Sequence, residues 1–376
     1  MKNIRHLHYP PQSSNFGEMR MTMKKYLSIF LALAVLAACQ KEEPLLTGPV
    51  GGNGQEETGG NGGGDGSGSG DDSGNGDNGG ENVGGDNGGS GDEGGDVIPP
   101  STTGYAWFEL PAIVDENKDG KLDDGNELYY AHHLCAGGER SGGKTARNYT
   151  VCYSGVHHCP MWVAAPRHKM YVGSSGRNDS YRRDPGIPAD IQYSSKSTGG
   201  GCNKGHMLGS AERTSSKPTN QQVFYYTNIA PQFSNTFNKE GAAWNSLEDH
   251  VDNLVCADTL YEVVGCYFEK YTDAYGKSCE PQTIFFGGRS DVSCPTMFYY
   301  ALLRTKSGAS GKSVRNCSAS ELQCAAFVLR HNVEKSHKPQ AEDIISIADL
   351  EKLTGFTYFR NVPNAPKTTV NKNEWL

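Results

Sequence analysis

The chain has 376 residues, enough for two or three average domains, but its composition is too uneven for whole-chain averages to describe it. Of its 48 glycines, 23 lie between Gly48 and Gly95, and the net charge is +4 over residues 1–39, −12 over residues 40–100 and zero over residues 101–376. This balance excludes a uniformly basic protein of the histone type, although a local basic groove is compatible with it.

The N-terminal segment has the features of a bacterial export signal. Two lysines precede an apolar run over residues 26–37, which is too short for a permanent membrane helix but has the length of a signal-peptide core. The run ends in Leu36-Ala37-Ala38-Cys39, which resembles the lipobox of bacterial lipoproteins, where the signal is removed before an acylated cysteine. We predict a signal peptide over residues 1–38, of which the first residues form a spurious extension, and lipidation of Cys39. An ordinary secretory signal is the alternative.

The residues after Cys39 indicate the destination of the protein. Gln40 replaces the aspartate expected for inner-membrane retention, and Gln40-Lys41-Glu42-Glu43 resembles a surface-export signal of some Gram-negative lipoproteins. We therefore predict an outer-membrane lipoprotein exposed at the cell surface. The lipidated, Gly/Asn/Asp/Ser-rich segment over residues 39–100 has no apolar periodicity, so it should act as a flexible tether. Residues 101–376 should form the folded domain.

The cysteines agree with export. With Cys39 set aside, ten of the 11 cysteines remain, and an even number in an oxidising compartment suggests up to five disulfides of undetermined connectivity. A zinc site near His157-His158-Cys159 is the competing interpretation, but no Cys-x-x-Cys spacing accompanies it.

The folded domain has the pattern of an α+β protein, with strands interrupted by few helices. Runs rich in Val, Tyr, Phe and Thr, bounded by Gly, Pro or Ser, predict strands at residues 148–153, 161–165, 222–228, 260–268, 283–286, 297–304 and 324–329.

Two helices are predicted from periodicity and capping. The first follows Asn238, where an apolar stripe recurs at helical spacing through Trp244, Leu247, Val251 and Leu254. The second begins near Ser346, with Asp349 completing a pair that resembles a capping box, and ends at Gly355.

One acidic segment resembles the start of a calcium-binding loop. Asp115, Asn117 and Asp119 supply oxygen ligands at alternate positions, and a glycine follows for the turn. The twelfth position of the loop is Asn126 rather than glutamate, so a polar turn between strands is the alternative. We predict a structural Ca²⁺ site here.

Three blocks in the middle of the domain carry the strongest functional signal. They are Cys202-Asn-Lys-Gly-His206-Met, Phe224-Tyr-Tyr-Thr-Asn228-Ile-Ala-Pro-Gln232 and Phe237-Asn-Lys-Glu-Gly-Ala-Ala-Trp-Asn-Ser-Leu-Glu248. In this order they resemble the motifs of the DNA/RNA non-specific endonuclease family, and the resemblance covers about residues 145–356. It implies a ββα-metal (His-Me finger) fold, with an antiparallel central sheet flanked by helices.

The resemblance also implies a role for each matched residue. His206 corresponds to the general base, Asn238 to the ligand of a catalytic Mg²⁺ that Mn²⁺ can replace, and Glu248 to a carboxylate that holds a metal-bound water. Asn228 would position the base or the phosphate, and Arg177 would supply a cation for charge developing on phosphorus.

Lys204 and Arg213 are further predicted substrate contacts. The usual Asp-Arg before Gly-His is Asn203-Lys204 in this chain, which replaces a planar guanidinium by a point charge. This departure leaves the base, the metal ligand and the water-holding carboxylate in place.

We predict a metal-dependent, sugar-non-specific endonuclease that hydrolyses extracellular DNA and RNA, with membrane attachment by lipid and no protein partner evident. A surface binding or adhesive lipoprotein on an inactive nuclease scaffold is the alternative from another class, and a nuclease specialised for RNA or single strands is a third.

Overall fold

A computed structural model describes residues 107–112 and 127–376. The predicted signal peptide, Cys39, the tether and the calcium-like residues Asp115, Asn117 and Asp119 lie outside these ranges. Within them, no helix combines the length and apolar character needed to cross a membrane.

The described elements alternate many strands with few helices. In chain order they are β1 (Leu128–Leu134), β2 (Arg140–Ser141), β3 (Lys144–Thr145), β4 (Arg147–Ser154), β5 (Cys159–Arg167), β6 (Cys202–His206), α1 (Lys217–Gln222), β7 (Ile229–Phe233), α2 (Ala243–Asp252), β8 (Leu260–Tyr267), β9 (Tyr271–Thr272), β10 (Ser278–Cys279), β11 (Gln282–Phe286), β12 (Arg289–Cys294), β13 (Met297–Thr305), β14 (Leu322–Arg330), β15 (Ile344–Ile345) and α3 (Ile347–Thr354).

Seven of these strands form one antiparallel sheet in the order β1-β4-β5-β8-β13-β14-β15. Its central strands are buried on both faces, because side chains alternate across a strand and each face packs against its own cluster. On β13, Phe298, Tyr300 and Leu302 enter one cluster, whereas Tyr299 and Leu303 enter the other. This explains why the central strands read as continuous apolar runs.

The two faces carry different layers. On the face of Tyr300, the helix α2 packs through Trp244, whose indole stacks on the Tyr300 ring at 4.9 Å. On the opposite face, α3 packs through Ile347 and Leu350. The sheet therefore lies between helices, and the α+β prediction is confirmed.

Six of the seven predicted strands coincide with observed strands, but the one over residues 222–228 is wrong. Pro218 and the Ser216 cap start α1, which ends at Gln222, and a 3-10 helix follows at Tyr226–Asn228. The aromatic run is buried by tertiary packing, and the side chain of Asn228 provides hydrogen bonds that a neighbouring strand would otherwise supply.

Both predicted helices are observed. The apolar stripe of α2 is buried through Trp244, Leu247 and Val251. At α3, the Ser346 hydroxyl accepts the backbone N–H of Asp349, and Gly355 closes the helix with a left-handed φ of 75°.

The predicted disulfides are not shown by the structure. Among the ten cysteines in the described ranges the structure shows no disulfide bond, and nine of the ten are buried. The prediction of disulfide bonding therefore stays a prediction.

Candidate active site

An antiparallel hairpin presents the first two sequence blocks. The strands β6 and β7 pair from Cys202 opposite Phe233 to His206 opposite Ile229, and α2 follows. Gly205 is required by close packing, because a Cβ atom there would lie 2.1 Å from the side-chain Cδ of Gln232. The chain thus builds a ββα unit whose first strand ends at the histidine.

His206 is held as a neutral imidazole. Its Nε2 atom is enclosed without a hydrogen-bond partner, and its ring packs edge-on against Phe224 at 4.9 Å. Burial lowers the pKa of His206 to about 3, and the positive charges of Arg177 and Lys204 contribute in the same direction. At neutral pH the ring is therefore unprotonated, which is the form that a general base needs before it takes up a proton.

Three cations lie around the ring of Tyr181, which itself lies 6.0 Å from His206. The Nζ atoms of Lys196 and Lys204 are 5.6 and 5.4 Å from the Tyr181 centroid, and Arg177 reaches the Tyr181 hydroxyl at 3.3 Å. We call Arg177, Lys196 and Lys204 the cation cluster. Burial and the neighbouring Lys196 lower the pKa of Lys204, although Asp179, which pairs with Arg177 at 2.8 Å, acts in the opposite direction. Lys196 was missed by the sequence analysis.

Asn228 holds the chain that directly follows His206. Its Oδ1 accepts the N–H of Leu208, and its Nδ2 donates to the carbonyls of Leu208 and Val223. The residue is fully buried, so the predicted contact with phosphate does not fit, whereas positioning of the base does. The geometry makes Asn228 a positioning residue.

Replacing Asn228 by alanine should lower the free energy of unfolding by about 2–3 kcal/mol, because buried backbone groups lose their partners. Urea unfolding measures this loss. The control Asn253→Ala removes an exposed side chain with one bond to Asp249 and should change stability by less than about 0.5 kcal/mol. Equal effects of the two substitutions would contradict the positioning role.

Asn238 follows the hairpin in a turn fixed by Phe233, whose carbonyl accepts the N–H groups of Phe237 and Asn238. The Asn238 Nδ2 donates to Gln232 Oε1 at 2.6 Å, which directs the amide nitrogen inward. The amide Oδ1 takes part in none of these bonds and is the atom suited to a hard divalent cation. A single neutral oxygen fits Mg²⁺, which keeps most of its waters.

Glu248 lies on α2, one turn beyond Trp244. Glu248 is partly buried. This burial raises the pKa of Glu248 to about 8, and the nearby Asp252 and Asp249 act in the same direction. Arg167 opposes this shift but does not outweigh burial and the two neighbouring carboxylates.

A buried ionic network lies close to Glu248. Arg167 pairs with Glu262 at 3.3 Å and with Glu212 at 3.7 Å, and it also contacts Asp252. Burial raises the pKa of Glu212 and of Glu262, although Arg167 opposes it. The network links β5 and β8 to the end of α2 and so fixes the helix that carries Glu248.

The predicted substrate contact at Arg213 is wrong. Its side chain is fully buried, donates to the carbonyls of Asn148, Pro166 and Glu212, and lies over the Tyr171 ring. The guanidinium satisfies buried carbonyls and cannot reach a ligand outside. Lys204, in contrast, lies in the cation cluster.

Three histidines outside the sequence blocks, His133, His157 and His158, have structural partners. His133 bonds to the buried Asp184 at 2.9 Å, His157 stacks on Phe268 at 4.1 Å, and His158 lies 3.2 Å from Asp291. Over residues 107–112 and 127–376, no group of three or more His, Cys, Asp or Glu side chains is arranged to hold a metal.

Two family models match the chain. A model described as DNA/RNA non-specific endonuclease matches residues 133–365, which include the hairpin, α2 and α3. A model of the prokaryotic membrane lipoprotein lipid attachment site matches residues 23–40, which include Cys39. The second match indicates a membrane-anchored lipoprotein.

Known nucleases resemble the same region. The human mitochondrial nuclease EXOG is 25% identical over 230 residues, which cover 60% of this chain and 58% of EXOG. Human mitochondrial endonuclease G is 23% identical over 58% of this chain and 70% of its own length, and a nuclease from Nostoc sp. is 26% identical over 59% and 74%. The match thus spans less than two thirds of EXOG. A solved EndoG/EndoGI complex aligns with a TM-score of 0.47 at 22% identity, covering 60% of this chain and 87% of that chain.

Proposed function

Because the chain belongs to the DNA/RNA non-specific endonuclease family, we propose that it is a metal-dependent endonuclease that hydrolyses phosphodiester bonds of extracellular DNA and RNA. The observation that carries this proposal is the neutral, unpartnered His206 beside a cation cluster. A proton acceptor and a place for a phosphate are thereby adjacent, which is the minimum that hydrolysis of a phosphodiester requires.

His206 accepts the proton of the attacking water as the water oxygen bonds to phosphorus. The P–O3′ bond breaks, the 3′ oxygen leaves and takes a proton from solvent, His206 returns its proton to solvent, and the product carries a 5′-phosphate. Arg177 and the two lysines of the cation cluster face the negative charge that grows on the phosphate oxygens, so they stabilise the transition state more than the substrate.

Asn238 would hold Mg²⁺, or Mn²⁺ in its place, through Oδ1, and Glu248 would hold a water of the metal. When bound, the metal supplies positive charge to the phosphate and the departing oxygen. The raised pKa of Glu248 supports this assignment, because a divalent ion bound nearby would stabilise the ionised carboxylate, which burial and the neighbouring carboxylates disfavour.

The lipid attachment site supports a surface location for this activity. Cys39 would carry the lipid, and the segment over residues 39–100 would separate the domain from the outer membrane. Nucleic acid outside the cell would then be the accessible substrate. Recognition through backbone phosphates would give low sequence specificity and strong dependence on salt.

The test is cleavage of plasmid DNA and total RNA by the full chain, purified after export, with Mg²⁺ or with EDTA. We expect both substrates to be degraded only with Mg²⁺ or Mn²⁺. If folded protein cleaves neither substrate between pH 6 and 9 with Mg²⁺, Mn²⁺ or Ca²⁺, the enzyme assignment fails. The chain would then be a surface binding lipoprotein on a nuclease scaffold.

Replacing Lys196 by alanine should weaken binding of nucleic acid of any sequence. Loss of one phosphate contact should reduce the slope of log K against log[salt] by about 1. Fluorescence anisotropy with a labelled duplex in EDTA measures the slope without turnover. The control Lys352→Ala removes a lysine that pairs with Asp349 on α3, across the sheet from the site, and should leave the slope unchanged.

A further inference from the structure

Two buried thiols meet at the base of the hairpin. The Sγ atoms of Cys202 and Cys294 are 3.9 Å apart, and the two residues are 4% and 1% exposed. Cys202 is the first residue of β6, and Cys294 is the last residue of β12. Both enter the small apolar cluster that contains Ile284, Phe286 and Val292.

Sulfur atoms at this separation are in van der Waals contact. A disulfide bond is about 2.0 Å long, so the two sulfurs need to approach by about 2 Å to form one. The lipid attachment site indicates an exported protein, and disulfides form and persist in exported proteins. The distance between the two sulfurs and the export of the protein therefore favour disulfide formation independently.

We propose that Cys202 and Cys294 form a disulfide bond in the exported protein. Each thiol loses its proton, an S–S bond forms, and the two electrons reduce the disulfide of an exported thiol–disulfide oxidant to a dithiol. The bond closes a loop that contains β6, β7 and α2, which are the elements of the ββα unit.

The bond should form during folding. Contact with the Cys202 thiol and burial raise the pKa of Cys294, so little thiolate exists once the fold has closed. Thiolate is the species that attacks an oxidant, and the buried pair is also shielded from a protein oxidant. Chain that folds under reducing conditions should consequently keep both thiols.

The bond would fix β6 at the end of the hairpin where His331 already holds β7. The His331 Nε2 accepts the N–H of Phe233, which lies opposite Cys202, and its Nδ1 lies 2.7 Å from the Pro295 carbonyl. The same Nδ1 is 3.7 Å from the Cys294 sulfur. Both strands of the hairpin are thus tied to the turn between β12 and β13.

The experiment uses the full chain, exported in a bacterial host, blocked with N-ethylmaleimide and purified in detergent. Peptide mapping by mass spectrometry should show the Cys202 and Cys294 peptides joined, and reduction should release them. Reduction should also lower the Tm by roughly 5–15 °C.

The double variant Cys202→Ser, Cys294→Ser should show the same lowered Tm before reduction and no further change through this pair. The control Cys135→Ser, which alters a buried thiol in another cluster, should keep the linked peptides. Alkylation of both cysteines in wild-type protein would overturn the proposal, as would a link from Cys294 to Cys279. These readouts do not require nuclease activity, so the disulfide and the proposed function fail or stand separately.

Discussion

Replacing His206 by alanine should reduce Mg²⁺-dependent cleavage of DNA and RNA by about 10²–10⁴-fold. The imidazole is neutral above its depressed pKa of about 3, and its Nε2 has no partner in the described part of the chain. Alanine removes the proton acceptor but leaves the cation cluster and Asn238. Binding of nucleic acid should therefore persist while kcat falls.

Initial rates on plasmid DNA, together with anisotropy in EDTA, separate these two effects. The matched control is His168→Ala, which removes a histidine that caps a short 3-10 helix and contacts the Ala257 carbonyl. That variant should cleave within a few-fold of wild type. A His206→Ala protein that is folded and fully active would eliminate His206 as the base.

Much of the fold could be predicted because local signals agree with tertiary packing. The α2 stripe, the Ser346 cap and the Gly355 stop all specify the same helices that the sheet then buries. The strand prediction for residues 222–228 is wrong because the local signal and the tertiary packing disagree. The aromatic side chains of these residues are as apolar as those of a strand, and long-range contacts, including the bonds of Asn228, favour the 3-10 helix.

The residues of the candidate site likewise include some that the sequence indicates and one that it does not. Motif spacing indicated His206, Asn238 and Glu248, which lie at the end of β6, in the turn after β7 and on α2, respectively. Lys196 lies outside every block and reaches Tyr181 only through the loop that precedes β6, so no local pattern could identify it.

Arg213 shows the converse error. Its charge suggests a substrate contact, but buried carbonyls from distant segments bind it instead, and sequence does not show which carbonyls lack partners. The low pKa of His206 and the high pKa of Glu248 are likewise products of burial.

Glu248→Gln should raise the stability of the protein at high pH and lower its nuclease activity. A carboxyl whose pKa is raised in the folded state, here to about 8, stabilises the fold below the ordinary pKa of about 4.5, and this stability is lost as pH rises towards 8. The amide of glutamine does not ionise, so the variant does not lose this stability as pH rises. In EDTA at pH 9, the variant should therefore unfold with a free energy higher than that of wild type, by on the order of 2–4 kcal/mol.

Urea unfolding at pH 5 and pH 9, in EDTA, measures the difference, which should be small at pH 5. With Mg²⁺ the same variant should cleave DNA about 10–100-fold more slowly, because an amide holds a metal-bound water less firmly than a carboxylate. Glu280→Gln, an exposed carboxylate paired with Lys270, is the control and should change neither property. A Glu248→Gln protein that loses stability at pH 9 would contradict the burial argument, whereas one that keeps full activity would contradict the metal-water role. The two outcomes are independent, because the first is measured without metal and the second without denaturant.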